Sequence, residues 1–306
     1  NDPDVSLNTI ADIISSDASL SVRILKMVNS DYYSFQTPIK NVNQAVSILG
    51  LKAIRDIALT LSILDIFPKD HSDDYKKLFQ RSLYAGVSAA LITEAAGMTR
   101  GNDAFTAALL QNLGMYIFLR YLRGEYQEII NEARNNCIEV PFVEKNNLKL
   151  TNAQAGCIVA ERWNMPQSVY LAIKYQYNIN LAYKKKYPKE MLQIIELAHL
   201  GGIAADFYTG WNKNFKLALF RTKFSRLFKR SGAAAEDVLS SIPSLVRNLN
   251  MADIFDLVPS YEEVKTSAEL EMLKSYTVFN RTYNALKDLE SHLEKEASPQ
   301  LDFKAN

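Results

Sequence analysis

A chain of 306 residues with 48% hydrophobic and 23% charged residues has the balance of a globular protein with a large core, which excludes a disordered or fibrous one. Its 35 Lys and Arg against 34 Asp and Glu leave a net charge of +1, so a nucleic-acid or membrane partner would need a local patch rather than a global field. Cys137 and Cys157 are the only cysteines, too few for a disulfide framework or a Cys-rich zinc site, and they point to a reducing, cytoplasmic setting.

Membrane crossing by a helix needs ~18 to 20 consecutive apolar residues. The best run here, Ile57 to Phe67, is short and broken by Asp65. No charged-then-apolar signal peptide opens the chain. It begins with Asn1 and enters a helical pattern almost at once, which suggests a piece of a longer protein.

In chain order, Leu7, Ile10, Ile13 and Ile14 form a first apolar stripe, and Asp17 is placed to cap a helix carrying Leu20, Ile24, Leu25 and Val28 that Asn29 and Ser30 end. Asn43 is the predicted N-cap of the next helix. Gly50 punctuates it, and Ile54, Ile57, Ala58, Leu61 and Leu64 carry it toward Pro68. After a polar loop from Lys69 to Asp74 comes an Ala-rich helix over Leu78 to Ala96. Asn102 and Asp103 then start a helix that runs to Leu113 and Gly114. Thr151 with Gln154 forms a capping box for a helix ending near Asn164, and Pro166 suits a first helical position. Sustained two-residue alternation and hairpin dipeptides are both missing, so the predicted fold is all-α.

The run from Asp17 to Leu59, with its Asn-Ser pair after a Leu-rich helix and its later Ala-x-x-x-Leu-Gly, resembles the opening of the HDOD family. Two further blocks agree in order. Ala104 to Gly114 (AFTAALLQNLG) is similar to the segment around the ancestral His-Asp pair, and Thr151 to Tyr177 is similar to the later Trp-x-x-Pro block. The resemblance covers about the first two-thirds of the chain. It implies a multi-helix HD-like core over 1–205, with 206–306 as a C-terminal helical extension.

HD hydrolases hold divalent metals with imidazole and carboxylate, and the metal-bound water becomes the nucleophile. At the matching positions this chain has Arg81 in place of a His, Gln111 and Asn112 in place of the His-Asp pair, and His199 near the last Asp. Asn152 and Gln176 stand where relatives often have His. Whatever the alignment, the chain contains only His71, His199 and His292, so no cluster of several His ligands can be assembled from nearby positions. The resemblance therefore implies a degenerate site with no metal, no cofactor and no catalytic residues. These six residues form a candidate ligand cleft. Each also has a plain structural reading: helix-end amides for Gln111 and Asn112, an ion pair for Arg81, a core imidazole for His199.

Between Phe207 and Ala235 lie seven basic residues and no acidic one, among them Lys213, Lys216, Lys223, Arg226 and Arg230, interleaved with Phe215, Phe220, Phe224 and Phe228. Such a stretch fits an exposed basic surface for anionic membranes or RNA, or a helix whose Leu217, Phe220, Phe224 and Leu227 stripe belongs to the core. The acidic segment that follows, with Glu236 and Asp237, favours internal neutralisation over nucleic acid. Phe279, Leu286 and Leu293 recur every seven residues, a short seam that makes 261–297 a candidate homodimer or signalling helix.

The function these features imply is a non-catalytic regulatory or output module of bacterial signal transduction. It would respond to a signalling partner or a small ligand, joined to a receiver or output domain in a parent protein. The alternatives are a nucleotide phosphodiesterase with atypical metal ligands, and nucleic-acid or membrane binding through 213–230.

Overall fold

In the computed structural model the described residues are 11, 14–30, 33, 35–65, 73–98, 101–249 and 258–273, and no strand occurs among them. Helices run in the order α1 (Ala18–Val28), α2 (Val42–Asp65), α3 (Asp73–Ala95), α4 (Gly101–Leu109), α5 (Leu113–Asn135), α6 (Val140–Leu148), α7 (Asn152–Arg162), α8 (Gln167–Tyr175), α9 (Ile179–Tyr183), α10 (Lys189–Thr209), α11 (Lys213–Phe228) and α12 (Gly232–Arg247). A further helix, α13, covers 261–273.

Local signals decide several ends. The Asp17 carboxylate accepts from the Leu20 amide at 3.0 Å and starts α1. Asn29 closes that helix, and its side chain then clamps the returning loop, accepting from the Ile39 amide at 2.6 Å and donating to the Ile39 carbonyl at 2.8 Å. That clamp is a structural role for the Asn that carries the family resemblance. Asn41, not Asn43, caps α2, its Oδ1 accepting from the Gln44 amide at 2.8 Å. Gly50 breaks α2 with φ 81° and ψ 156°, a conformation that only glycine enters without strain. Thr151 and Gln154 form the expected capping box. Pro166 sits one residue earlier than predicted, as the N-cap of α8 with extended ψ. The helix expected to reach Gly114 stops at Leu109, and a tight turn over 110–112 redirects the chain into α5.

Helix α3 forms the axis of the molecule and α10 lies along it. Small residues on both, Ala85, Ala89 and Ala90 against Gly201, Ala204 and Ala205, bring the backbones close. A Cβ on Gly201 would stand 2.4 Å from the Ala85 carbonyl oxygen. Tyr84 of α3 stacks on Tyr208 of α10 with centroids 4.8 Å apart. Around this pair one buried cluster takes in α4, parts of α7 and α8, and then Phe220, Phe224, Leu239, Ile242, Tyr261 and Val264 from the later helices. Helices α1 and α2 build a separate N-terminal cluster from Ile24, Val28, Val46, Ile54 and Leu61.

Position 205/206, expected to divide core from extension, falls inside α10, and members of the main cluster lie on both sides of it. In α11 the Leu217, Phe220 and Phe224 stripe is core. Residues 274–306, which hold the heptad seam, lie outside the described residues, as do Leu7 and Ile10 of the first stripe.

Candidate functional site

The turn between α4 and α5 buries two amide side chains where a surface loop would expose them. Gln111 is 1% and Asn112 0% exposed. The missing side chain of Gly202 on α10 makes the room, since a Cβ there would stand 2.8 Å from Gln111 Nε2. On the other side α5 and α7 cross in near contact at Gly114 and Gly156, which sets Asn152 against the turn.

Five of the six predicted cleft residues are thereby brought together. Gln176 Nε2 donates to the Gln111 carbonyl at 2.9 Å and to Asn152 Oδ1 at 3.3 Å, and the Gln176 carbonyl meets His199 Nδ1 at 2.8 Å. Asn112 Nδ2 reaches Ser82 Oγ at 3.5 Å, and the Tyr116 hydroxyl donates to the same oxygen at 3.3 Å. The sixth residue, Arg81, precedes Ser82 on α3 and turns to the other side. Its Nε donates to Asp206 Oδ1 at 2.7 Å, and Asp206 Oδ2 lies 3.1 Å from Lys216 Nζ. Lys216 also reaches Glu139 Oε1 at 2.7 Å. Burial alone would raise the Asp206 carboxyl, but the Arg81 and Lys216 charges outweigh it and hold the group below the usual carboxylate range.

Lys216 is therefore drawn inside an ion-pair network and does not belong to an exposed basic surface. Arg226 and Arg230 are exposed and Lys213 and Lys223 half-buried, while Arg221 pairs with Glu236 from the acidic segment.

Residue-by-residue reading missed a buried carboxylate. Glu144 on α6 is 0% exposed and accepts from the Tyr126 hydroxyl at 2.6 Å, the Asn152 amide at 2.8 Å and Asn152 Nδ2 at 2.9 Å. Burial pushes its carboxyl up, opposed by those three donors. Asp206 was missed as well. Neither lies in a motif, and their partners on α5, α7 and α3 are known only once the chain is folded.

His199 faces an acceptor, the Gln176 carbonyl, so Nδ1 carries the ring proton and Nε2 holds a lone pair that finds no donor among the described residues. Burial lowers its pKa from 6.5 to about 4. A His depressed in the folded state binds a proton in the unfolded chain first, so stability falls as pH drops from about 6.5 toward 4, by about 3 kcal/mol in all. In His199→Gln this segment of a stability-against-pH curve is expected to flatten. Urea midpoints at half-unit pH intervals test it, and a variant as acid-sensitive as the parent would refute it.

These donors do not suit a divalent metal. Amides are weak ligands beside imidazole and carboxylate, the neighbouring Arg81 brings a fixed positive charge, and the one imidazole is half committed to a backbone carbonyl. Among the described residues no three His, Cys, Asp or Glu side chains gather in a metal-binding arrangement. Within the described residues, no helix is long and apolar enough to cross a membrane.

Known proteins bear on this arrangement. An uncharacterized protein of Treponema pallidum is 23% identical over 209 residues, 68% of this chain but only 40% of the relative's own length. Among solved structures, an HDOD domain protein of unknown function from Geobacter sulfurreducens superposes with a TM-score of 0.63 at 21% identity, over 84% of this chain and 89% of that one. A Shewanella amazonensis protein named provisionally a phosphohydrolase gives 0.62 at 18% identity, over 81% and 89%. A Marinobacter aquaeolei protein named provisionally for signal transduction gives 0.52 at 20%, over 79% and 56%. These likenesses establish the all-helical fold. The family model for the HDOD domain matches residues 1–179, more than half of the chain and the part that holds Arg81, Gln111, Asn112, Asn152 and Gln176, and the chain belongs to that family.

Proposed function

We propose that this chain is a non-catalytic signal-transduction module whose former metal centre now serves as a structural hub. The observation that carries the reading is the closure of Gln111, Asn152, Gln176 and His199 on one another, with Arg81 tied to Asp206. The Gln111 carbonyl, Asn152 Oδ1, the Gln176 amide and carbonyl and His199 Nδ1 are committed to one another, while the buried atoms left without a partner among the described residues, Gln111 Nε2, Asn112 Oδ1 and His199 Nε2, include a single imidazole nitrogen, a poor set for ligating a metal or activating water. A signalling role accords with the family and with the name given to the Marinobacter neighbour, while the Shewanella neighbour's name keeps hydrolysis as the competing reading. Since the chain spans 40% of its Treponema relative's length, its action in a parent protein would depend on domains joined to it, such as a receiver or an output enzyme. The signal would be a protein partner or a small ligand. To change the module's state, either must bind two conformations with different affinity.

A thermal-shift series with manganese, iron, zinc and cyclic dinucleotides, paired with a phosphodiesterase assay, tests the reading. A ligand at a hundredfold over its Kd adds about 2.7 kcal/mol, so specific binding is easily seen. The expected result is no metal-dependent stabilisation and no turnover. Stabilisation by a metal that disappears in His199→Ala, together with turnover, would overturn it.

A further inference from the structure

Beside the amide hub, and joined to it by Tyr177, whose hydroxyl hydrogen-bonds Asn152, a cavity of about 130 Å³ opens between α3, α5, α6 and the α10–α11 connection. Of the six predicted cleft residues only Arg81 lines it. One wall is apolar, made by Leu78, Met115, Leu119, Ile130, Val140 and Trp211. The remainder carries four cations, Lys77, Arg81, Arg134 and Lys216, against three carboxylates, Asp74, Glu139 and Asp206, so the lining is one negative charge short of balance.

The carboxylates are already engaged. Asp206 is held by Arg81 and Lys216, Glu139 by Lys216, and in the Gln127 amide orientation that satisfies both groups its nitrogen donates to the Asp74 oxygens at 2.8 and 3.1 Å. The cations are not all matched. Buried Arg81 Nη1 has no hydrogen-bond partner among the described residues, while its Nε is committed to Asp206. An unmade bond on a buried guanidinium costs free energy, and an anionic acceptor is what such a group takes. Exposed Arg134, its guanidinium 5.6 Å from the Trp211 ring, and exposed Lys77 add positive charge at the rim. The volume is close to that of an engineered apolar cavity of about 150 Å³ that holds one benzene.

We propose that this cavity binds a small monoanion with an apolar body, of the class of an aromatic or short aliphatic carboxylate. The carboxylate accepts from Arg81, and the body lies on Leu119, Ile130 and Trp211. The proposal rests on the reading of the chain as a ligand-responsive module and names the chemistry of its ligand.

Calorimetric titration of the full chain with benzoate, hexanoate, benzamide and inorganic phosphate tests it at neutral pH. At least one of the two carboxylates is expected to bind at a single saturable site, about tenfold or more tighter than benzamide, which lacks the charge-assisted hydrogen bond, and about tenfold or more tighter than phosphate, which keeps the charge but has no apolar body to bury. Arg81→Lys keeps a charge beside Asp206 and removes the planar fork, and its affinity is expected to fall about tenfold with the fold intact by circular dichroism. Leu119→Trp, which fills the cavity, is expected to abolish binding. Failure of both carboxylates to saturate, equal affinity for benzamide or phosphate, or an unchanged affinity in Arg81→Lys would each overturn the proposal. No probe here is a nucleotide or a metal. Turnover of a phosphodiester would thus sink the non-catalytic reading and leave this site standing, whereas an inert chain that binds neither acid does the reverse.

Discussion

Replacing Gly114 by alanine is expected to leave no folded protein, or one that melts at least about 10 °C lower. A Cβ there would lie 1.8 Å from the Asn152 carbonyl oxygen and 2.5 Å from its carbon, and these are backbone atoms of α7 that no rotamer change can move. Relief requires α5 and α7 to separate, which pulls Asn152 off Glu144 and Gln176 together. Overpacking of a flexible core costs about 1–3 kcal/mol, and a rigid backbone contact exceeds that, at about 4 kcal/mol or more. At about 2–4 °C per kcal/mol for a chain of this size the shift is unmistakable. Gly124 lies just past the kink of α5 at Arg123 and has nothing within 4 Å of its would-be Cβ, so Gly124→Ala serves as control and is expected to be neutral or slightly stabilising. Thermal melts followed at 222 nm decide the matter, and a Gly114→Ala protein melting with the parent would show that the crossing is looser than the structure has it.

Asp206→Asn carries the second large effect. The substitution preserves shape and removes the charge between Arg81 and Lys216, leaving two cations side by side in a mostly buried position. Breaking such a network from one side costs about 3–5 kcal/mol, because the partners' desolvation is no longer compensated. The pH dependence has a definite sign. A carboxyl depressed in the folded state stabilises fully above its unfolded value, about 3.9, and loses that contribution as pH falls through the lower folded value. The gap between parent and variant should therefore be constant near neutrality and close in acid. Urea unfolding at pH 7 and again near pH 3 measures it. A neutral-pH gap under about 1 kcal/mol, or one that persists undiminished in acid, contradicts the assignment.

What could be read from residues alone follows the range of the interaction. Asp17, Gly50 and the Thr151–Gln154 box act within a turn or two, and each does what its local chemistry dictates. Asn43 is not the cap because the helix already begins at Val42, so Asn41 stands at the N-cap position, three residues before Gln44, the spacing at which a cap side chain reaches a free amide. The Leu217, Phe220 and Phe224 stripe was ambiguous between membrane and core, since periodicity names a face and not what covers it. The family resemblance picks out Gln111, Asn112, Asn152 and Gln176, and the folded chain joins Gln111, Asn152 and Gln176 through backbone as well as side-chain groups while the Asn112 side chain turns to Ser82. Arg81 with Asp206 is separated by 125 positions, and Glu144 binds groups on two other helices, so neither pairing leaves a local trace.

Helix α10 sets the terms on which this protein can be dissected. It supplies His199 to the amide hub, Gly202 to the seat of Gln111, Asp206 to the ion pair and Tyr208 to the stack on Tyr84, all within three turns. A fragment ending at 205 would keep the first two and lose the others. It would also uncover the apolar surface that Phe220, Leu239 and Ile242 cover. Within α10 itself the helix is unbroken from His199 to Tyr208, so a displacement at its C-terminal end is carried to the hub without a bend. A displacement of α11 reaches α10 only across the non-helical connection at Gly210 and Asn212 and through the side chains packed between the two helices, which makes that connection, and not α10, the place where motion of the later helices is taken up.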